Sequence, residues 1–343
     1  MEIIHNHMMM RRDNYKVKIK EYNDICRNEI YKNGKFLMNK ILTNTEKEKR
    51  KLNVNCDEFG MIRIFQRNKF NDWNADPIPM DIISSKMQIK KLDNIPVQMF
   101  EVAKCNLHCW WCYLPKQLKN ITEEYTKWFS VSELFNLFER ENNDVKVIYL
   151  SGGNPELVPE FVYSFMKELD KRKRSQEIFL WSDDVLTTDF LVEKMSKEQI
   201  NYMTQYKNYA KICCLKGFDN ESFEYNTGMD KKEFDNQIKR LKMCIDIGFD
   251  VYGYIILVCK ALNDIESKIK KTMDKLQEIS YFLPLRIIPI KIEKFSAVIE
   301  RLNEEREQSI LNQYQVLQIW NNELYNRFTK AELECNIADL KLK

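Results

Sequence analysis

From Pro96 onward the chain alternates apolar runs of about four to eight residues with longer amphipathic segments, and no other feature restricts its fold as much. The runs occupy residues 97–102, 145–150, 177–181, 210–215, 251–258 and 285–290. Between them, residues 160–171, 189–206, 231–247 and 264–279 carry apolar side chains at helical spacing. Strand-length runs separated by helices are the signature of βαβ units and a parallel sheet. Six such units fall short of the eight that close a barrel. The expected fold is therefore α/β, a partial (βα)6 TIM-type barrel whose site lies at the C-terminal ends of the strands.

Residues 1–94 read as an N-terminal extension, residues 95–295 as the core, and residues 296–343 as a C-terminal helical segment. In the extension only residues 61–65 look strand-like. The Lys-rich run near Glu48 reads as a solvated face, and Asp76-Pro77-Ile78-Pro79 breaks regular structure before the core. In the last segment a helix over 304–328 shows a stripe of Ile310, Tyr314, Leu317, Leu324 and Phe328, expected to pack on the core. No run is long and apolar enough to span a membrane, and the first residues lack the apolar stretch of a signal peptide, so the expected location is cytoplasmic. A net charge of +3 gives no indication of a nucleic-acid partner. Ten cysteines without an export signal point to reduced thiols, metal ligation or catalysis.

Three of those cysteines are organised. Cys105-Asn106-Leu107-His108-Cys109-Trp110-Trp111-Cys112 follows the first run directly and gives a C-x3-C-x2-C spacing. Random placement of ten cysteines produces this spacing only about 0.01 times per chain. Thiolates suit an iron–sulfur cluster or zinc, but a structural zinc needs a fourth ligand and no second C-x-x-C pair is present. Three ligands on a four-iron cube leave one iron open to a small chelating molecule. His108, adjacent to Cys109, would strain to reach the same cube corner and reads as a loop residue. Cys26, Cys56, Cys213, Cys214, Cys244, Cys259 and Cys335 are scattered and read as free thiols.

The cysteine loop resembles the C-x3-C-x-aromatic-C signature of the radical S-adenosylmethionine (radical SAM) superfamily, with Trp111 as the aromatic residue. Gly152-Gly153-Asn154-Pro155 resembles the GGEP motif of that family, with Asn154 in place of Glu. The resemblance implies that the backbone of Gly152, Gly153 and Asn154 meets the methionine amino group of SAM, and hence that Gly153→Val weakens SAM binding. It is closest to the pyruvate formate-lyase activating enzyme-like group, which implies ribose contacts from Ser182 and Asp183 and a SAM-carboxylate contact from Lys216. Cys214 stands where that group has Asp, next to the cofactor. Gly253 and residues 286–290 fall at cofactor-lining positions. The likeness covers residues 95–295, and no further cysteine set implies a second cluster.

The implied cofactors are a [4Fe–4S] cluster on Cys105, Cys109 and Cys112 and S-adenosyl-L-methionine. The implied activity is reductive cleavage of SAM to a 5′-deoxyadenosyl radical that abstracts hydrogen, with a flavodoxin or ferredoxin-type reductant and a partner protein activated as by a glycyl-radical activase. Two alternatives stay open: radical modification of a small molecule, peptide or nucleic acid, and a non-catalytic iron–sulfur or zinc-binding module. Neither the substrate nor a catalytic residue is named by the sequence.

Overall fold

The computed structural model describes residues 15–42, 53–66, 69–70, 73–74, 80–90, 93–141 and 145–342. The Lys-rich run near Glu48 and the Asp76–Pro79 break lie outside them. Six strands form the centre: β3 (Asn94–Val102), β5 (Val147–Gly152), β6 (Phe179–Asp184), β7 (Tyr209–Leu215), β8 (Val251–Ile256) and β9 (Ile287–Ile290). They lie in that order and each neighbouring pair is parallel. The molecule is a mixed α/β fold on a parallel sheet.

The expected extension shares this sheet. Strands β1 (Lys35–Asn39) and β2 (Gly60–Gln66) both pair antiparallel with β3, and β4 (Thr126–Phe129) pairs antiparallel with β1. Helix α1 (Tyr15–Ile30) precedes β1, and the short helix α2 (Met80–Met87) precedes β3. These strands are short, and β2 is amphipathic, so only residues 61–65 stood out from the sequence.

The crossovers are α3 (Val131–Arg140), α4 (Glu160–Lys171), α5 (Phe190–Lys194) with α6 (Lys197–Thr204), α7 (Asn220–Thr227) with α8 (Glu233–Ile247), and α9 (Ile265–Ile279). The single helix expected over 189–206 is two. Met195 is extended, and Ser196 starts a new helix by a capping box in which its hydroxyl accepts from Gln199 N while Gln199 reaches back to Ser196 N. In α10 (Glu304–Arg327), Ile310 and Leu317 are buried as the stripe predicts, but Tyr314 is exposed and Val316 and Trp320 take its place in the core.

Strand residues alternate between two buried faces. The inner face collects Val97, Met99, Tyr149, Trp181, Ile212, Cys214 and Tyr254; the outer face, under the helices, collects Phe100, Ile148, Leu180, Cys213, Leu215 and Ile255. A fully buried ion cluster sits on the outer face. Lys211 Nζ bonds to Glu156 Oε1 and lies 3.2 Å from Asp184 Oδ2, and Leu186 N donates to Asp184 Oδ1 at 2.6 Å. Burial alone would lower the pKa of Lys211; the two carboxylates overcome this and hold it well above the usual lysine value. Cys213, Cys244 and Asp184 also meet there, but the Lys211 ammonium among them opposes a cation.

Removing Lys211 leaves Glu156 and Asp184 buried without their counter-charge. Lys211→Met is therefore expected to destabilise the fold by about 3–5 kcal/mol, read as a fall in the urea midpoint.

Candidate functional site

The cysteine loop leaves the sheet at the C-terminal end of β3, with Lys104 in the left-handed region at φ 66°. The turn after β5 locks onto it through the backbone. Gly153 N donates to Val102 O at 2.9 Å and Asn154 N to Lys104 O at 2.9 Å. A Cβ on Gly153 would fall 1.8 Å from the Lys104 carbonyl oxygen, and one on Gly152, at φ 98°, would fall 2.7 Å from Glu101 Cα. Here the glycines admit another stretch of protein backbone. Gly153→Val would accordingly displace the cysteine loop itself, a more direct effect than the intrusion on a ligand expected from the sequence.

Cys105, Cys109 and Cys112 join the inner-face cluster, with Leu107 N donating to Cys105 Sγ at 3.4 Å and Cys112 N to Cys109 O at 3.3 Å. Their sulfurs do not all lie within 4.8 Å of one another. Without metal, burial pushes the Cys105 thiol up to about 11 and the Cys109 thiol up to about 12, against the opposing pull of Lys216. A bound cationic core would reverse this and hold thiolates.

Side chains from distant segments brace the loop. Asn106 Nδ2 donates to Asn23 Oδ1 at 2.7 Å and to Thr187 Oγ1 at 2.9 Å, and Asn154 Nδ2 donates to Asn106 Oδ1 at 3.0 Å. Asn23 Nδ2 completes the set on Thr187 O at 3.1 Å. All four residues are buried. Helix α1 adds Glu29, paired with Lys104 at 2.7 Å, and Tyr22, whose hydroxyl lies 3.3 Å from His108 Nε2. His108 thus points to α1. From the C-terminal segment, Arg301 donates to the carbonyls of Cys112 and Leu114, and Trp110 beds among Ile256, Val258, Ile292, Val298 and Ile310. None of these braces was found from the sequence.

Glu101, Ser151, Asp183, Cys214 and Lys216 have inner-face parity at the ends of β3, β5, β6 and β7. Tyr149 Oη donates to both Asp183 oxygens, at 2.8 and 2.7 Å, and Ser151 Oγ donates to Oδ2 at 2.8 Å. Tyr113 Oη donates to Glu101 Oε1 at 3.2 Å. The Lys216 ammonium lies 5.5 Å from the centroid of the Trp111 ring and interacts with Cys105, Cys109, Cys214 and Asp183. The indole N–H groups of Trp111 and Trp181 are buried without an acceptor, although such donors are nearly always paired.

Of the residues singled out by sequence, Cys105, Cys109, Cys112, Trp111, Gly152, Gly153, Asp183 and Lys216 gather at this end of the sheet. Ser182 faces the other way, its hydroxyl 2.7 Å from Tyr209 Oη, because neighbouring strand residues point to opposite faces. Asn154 is fully buried in the asparagine network. Gly253 is also of outer parity, and the Ile287 side chain occupies the space beside it. Arg286 pairs with Asp250 and the Val251 carbonyl at the N-terminal end of β8, away from the cysteine loop.

A family model described as the Radical SAM superfamily matches residues 102–276. Comparison with curated proteins finds no match. Similar solved structures include SuiB from Streptococcus suis bound to S-adenosylmethionine, at 14% identity over 66% of this chain and 48% of that one, with a TM-score of 0.42. A radical SAM methyltransferase from Sphaerobacter thermophilus matches at 9% identity over 84% of this chain and 75% of that one, with a TM-score of 0.42. Spore photoproduct lyase with bound AdoMet and dinucleoside spore photoproduct matches at 9% identity over 65% and 61%, with a TM-score of 0.39. The chain spans about half the length of the SuiB structures.

The inner carboxylates make a testable pH signature. Burial first, and Asp183 second, push the Glu101 carboxyl up to about 7 against the hydrogen bond from Tyr113. A raised carboxyl pKa favours the folded state while the group is protonated, so its contribution is fully present below about 4.5 and is lost as pH rises through about 7. Relative to wild type, Glu101→Gln is expected to remove a stability change of about 3 kcal/mol across that window, measured as the difference between the two proteins' denaturation profiles against pH.

Proposed function

This chain belongs to the radical SAM superfamily, and we propose that Cys105, Cys109 and Cys112 hold a [4Fe–4S] cluster whose fourth iron is left for S-adenosylmethionine. The family uses both cofactors, and its members are enzymes. The observation that carries the reading is the backbone lock between the cysteine loop and the Gly152–Gly153 turn, which presents the thiols and the strand-end side chains to one inner space.

A cluster held by Cys105, Cys109 and Cys112 would supply the single electron that breaks the sulfonium C–S bond of SAM, giving methionine and the 5′-deoxyadenosyl radical used for hydrogen abstraction. The protein's own part is to position and shield. The Gly152–Asn154 backbone lines the cofactor's methionine end, while Trp111, Asp183 and Lys216 line the inner space. Asp183, oriented by Tyr149 and Ser151, retains lone pairs for hydroxyl donors such as a ribose; Lys216 offers a cation to a carboxylate. Ser182 and the Asn154 side chain act from behind, fixing the strand and turn that carry these groups.

The six consecutive parallel strands, which end at β9 while β3 carries β1 and β2 on its other edge, support the partial (βα)6 barrel. Within the family we place the chain nearest the pyruvate formate-lyase activating enzyme-like group, on the match of Lys216 and of Thr227-Gly228. An open barrel admits a protein loop, so the substrate we favour is a partner protein, the electron for the cluster coming from a flavodoxin or ferredoxin-type reductant in the cytoplasm. No described helix is long and apolar enough to cross a membrane.

Anaerobic reconstitution should load about four irons and four sulfides, and reduction with SAM should release methionine and 5′-deoxyadenosine. Stoichiometric zinc without iron would sink the reading. Cys112→Ala should abolish loading, whereas Cys213→Ala, Cys244→Ala and Cys335→Ala should leave iron unchanged, because Cys213 and Cys244 lie on the outer face and Cys335 is exposed. Cys214→Ala separates two cases. Loss of SAM cleavage with iron retained fits its inner position; loss of iron would make it a fourth ligand.

A further inference from the structure

Arg301 reaches the cysteine loop from 189 residues away in sequence. Its Nη1 donates to the Cys112 carbonyl oxygen at 2.6 Å and its Nη2 to the Leu114 carbonyl oxygen at 2.7 Å. Arg306 supports it: Nη1 donates to the Arg301 carbonyl at 2.6 Å, and the guanidinium lies 5.5 Å from the centroid of the Trp110 ring. The two arginines together grip the loop from Trp110 to Leu114.

A planar fork that meets two nearby carbonyls is a geometry that an ammonium cannot reproduce, and a guanidinium remains charged throughout the physiological range. The bonds go to neutral carbonyls, and no carboxylate among the described residues is within ion-pair distance of Arg301. The charge is therefore uncompensated next to Cys112. Lys119 and Lys216 add to it, both interacting with the motif thiols, while Asp183, Tyr149 and Ser151 lie on the strand side of the space.

We propose that Arg301 is a positioning residue that fixes the backbone carrying Cys112 and raises the reduction potential of the cluster by its fixed charge. The inference rests on the reading of the three cysteines given above. Adding an electron makes the cluster more negative, so a nearby cation favours the reduced state, and net charge and hydrogen bonding are among the determinants of cluster potentials.

The test compares wild type, Arg301→Gln and Arg301→Lys. Each is reconstituted anaerobically, analysed for iron and titrated with redox mediators while the reduced cluster is followed by electron paramagnetic resonance. Hydrogen exchange of residues 110–118 is measured on the same proteins without cluster. In Arg301→Gln the reduced-to-oxidised ratio at a fixed ambient potential should fall about tenfold, equivalent to about 59 mV for a one-electron couple. Arg301→Lys should recover most of that ratio, since it keeps the charge, while both variants exchange the loop amides severalfold faster. A wild-type titration in both variants, or loop exchange equal to wild type in both, overturns the proposal. Should Arg301→Gln fail to load, Arg301→Lys decides: loading near the wild-type potential with faster loop exchange supports it, and a potential as low as an uncharged site would give overturns it. Wild-type protein that forms no cluster refutes the cysteine reading instead, and overturns the claim on potential with it.

Discussion

The structure turns on the contact between two backbones at the C-terminal ends of β3 and β5. Each strand ends in a loop, and the loops nest so closely that Gly153 has a carbonyl where a side chain would be. Two peptide hydrogen bonds close the contact. This arrangement depends on parallel pairing, because Glu101 opposite Ser151 and Val102 opposite Gly152 bring both chain exits to the same edge. Given that edge, the thiols, Asp183 and Lys216 share one space without a dedicated domain to assemble them.

The parallel sheet and its crossovers were legible because buried strands and amphipathic helices leave long periodic signals. The cysteine and glycine motifs were legible because their spacing is local. What could not be read is how remote segments return to the site. Asn23, Glu29, Arg301 and Arg306 are ordinary polar residues on helices or in a loop, and only their placement gives them a role. The sequence also separates residues poorly by face: Ser182 and Asp183 are neighbours at the end of one strand, yet one meets Tyr209 under the helices and the other meets Tyr149 inside. Strand parity could have parted them, had the ends of β6 been known to a single residue.

The two faces divide the work. On the outer face Lys211 is matched by Glu156 and Asp184 in full burial, so its charges are answered within the protein. On the inner face, Glu101 and Asp183 receive hydrogen bonds from tyrosine and serine, while their raised pKa values register the remaining burial penalty. Such an imbalance destabilises an empty interior and is relieved by an occupant that brings donors or charge. Charges are thus matched within the protein on one side of the sheet and left partly unmatched on the other.

Asn154 shows how a departure from a motif can be compensated. The position is fully buried, and an ionised glutamate there could only accept hydrogen bonds. An amide does both: its oxygen receives Glu156 N at 3.2 Å, while its Nδ2 donates to Asn106 Oδ1 and approaches Thr187 Oγ1 at 3.3 Å. Asn106 then passes the pattern on to Asn23 in α1. A carboxylate at residue 154 would face the Asn106 carbonyl oxygen with no proton to offer, and would bury a charge beside the neutral side chains of Asn106 and Thr187. The asparagine therefore belongs with Asn23, Asn106 and Thr187 as one unit, and its side chain ties the glycine turn to the cysteine loop and the N-terminal helix while the peptide N–H groups of Gly153 and Asn154 lock the same turn onto Val102 and Lys104.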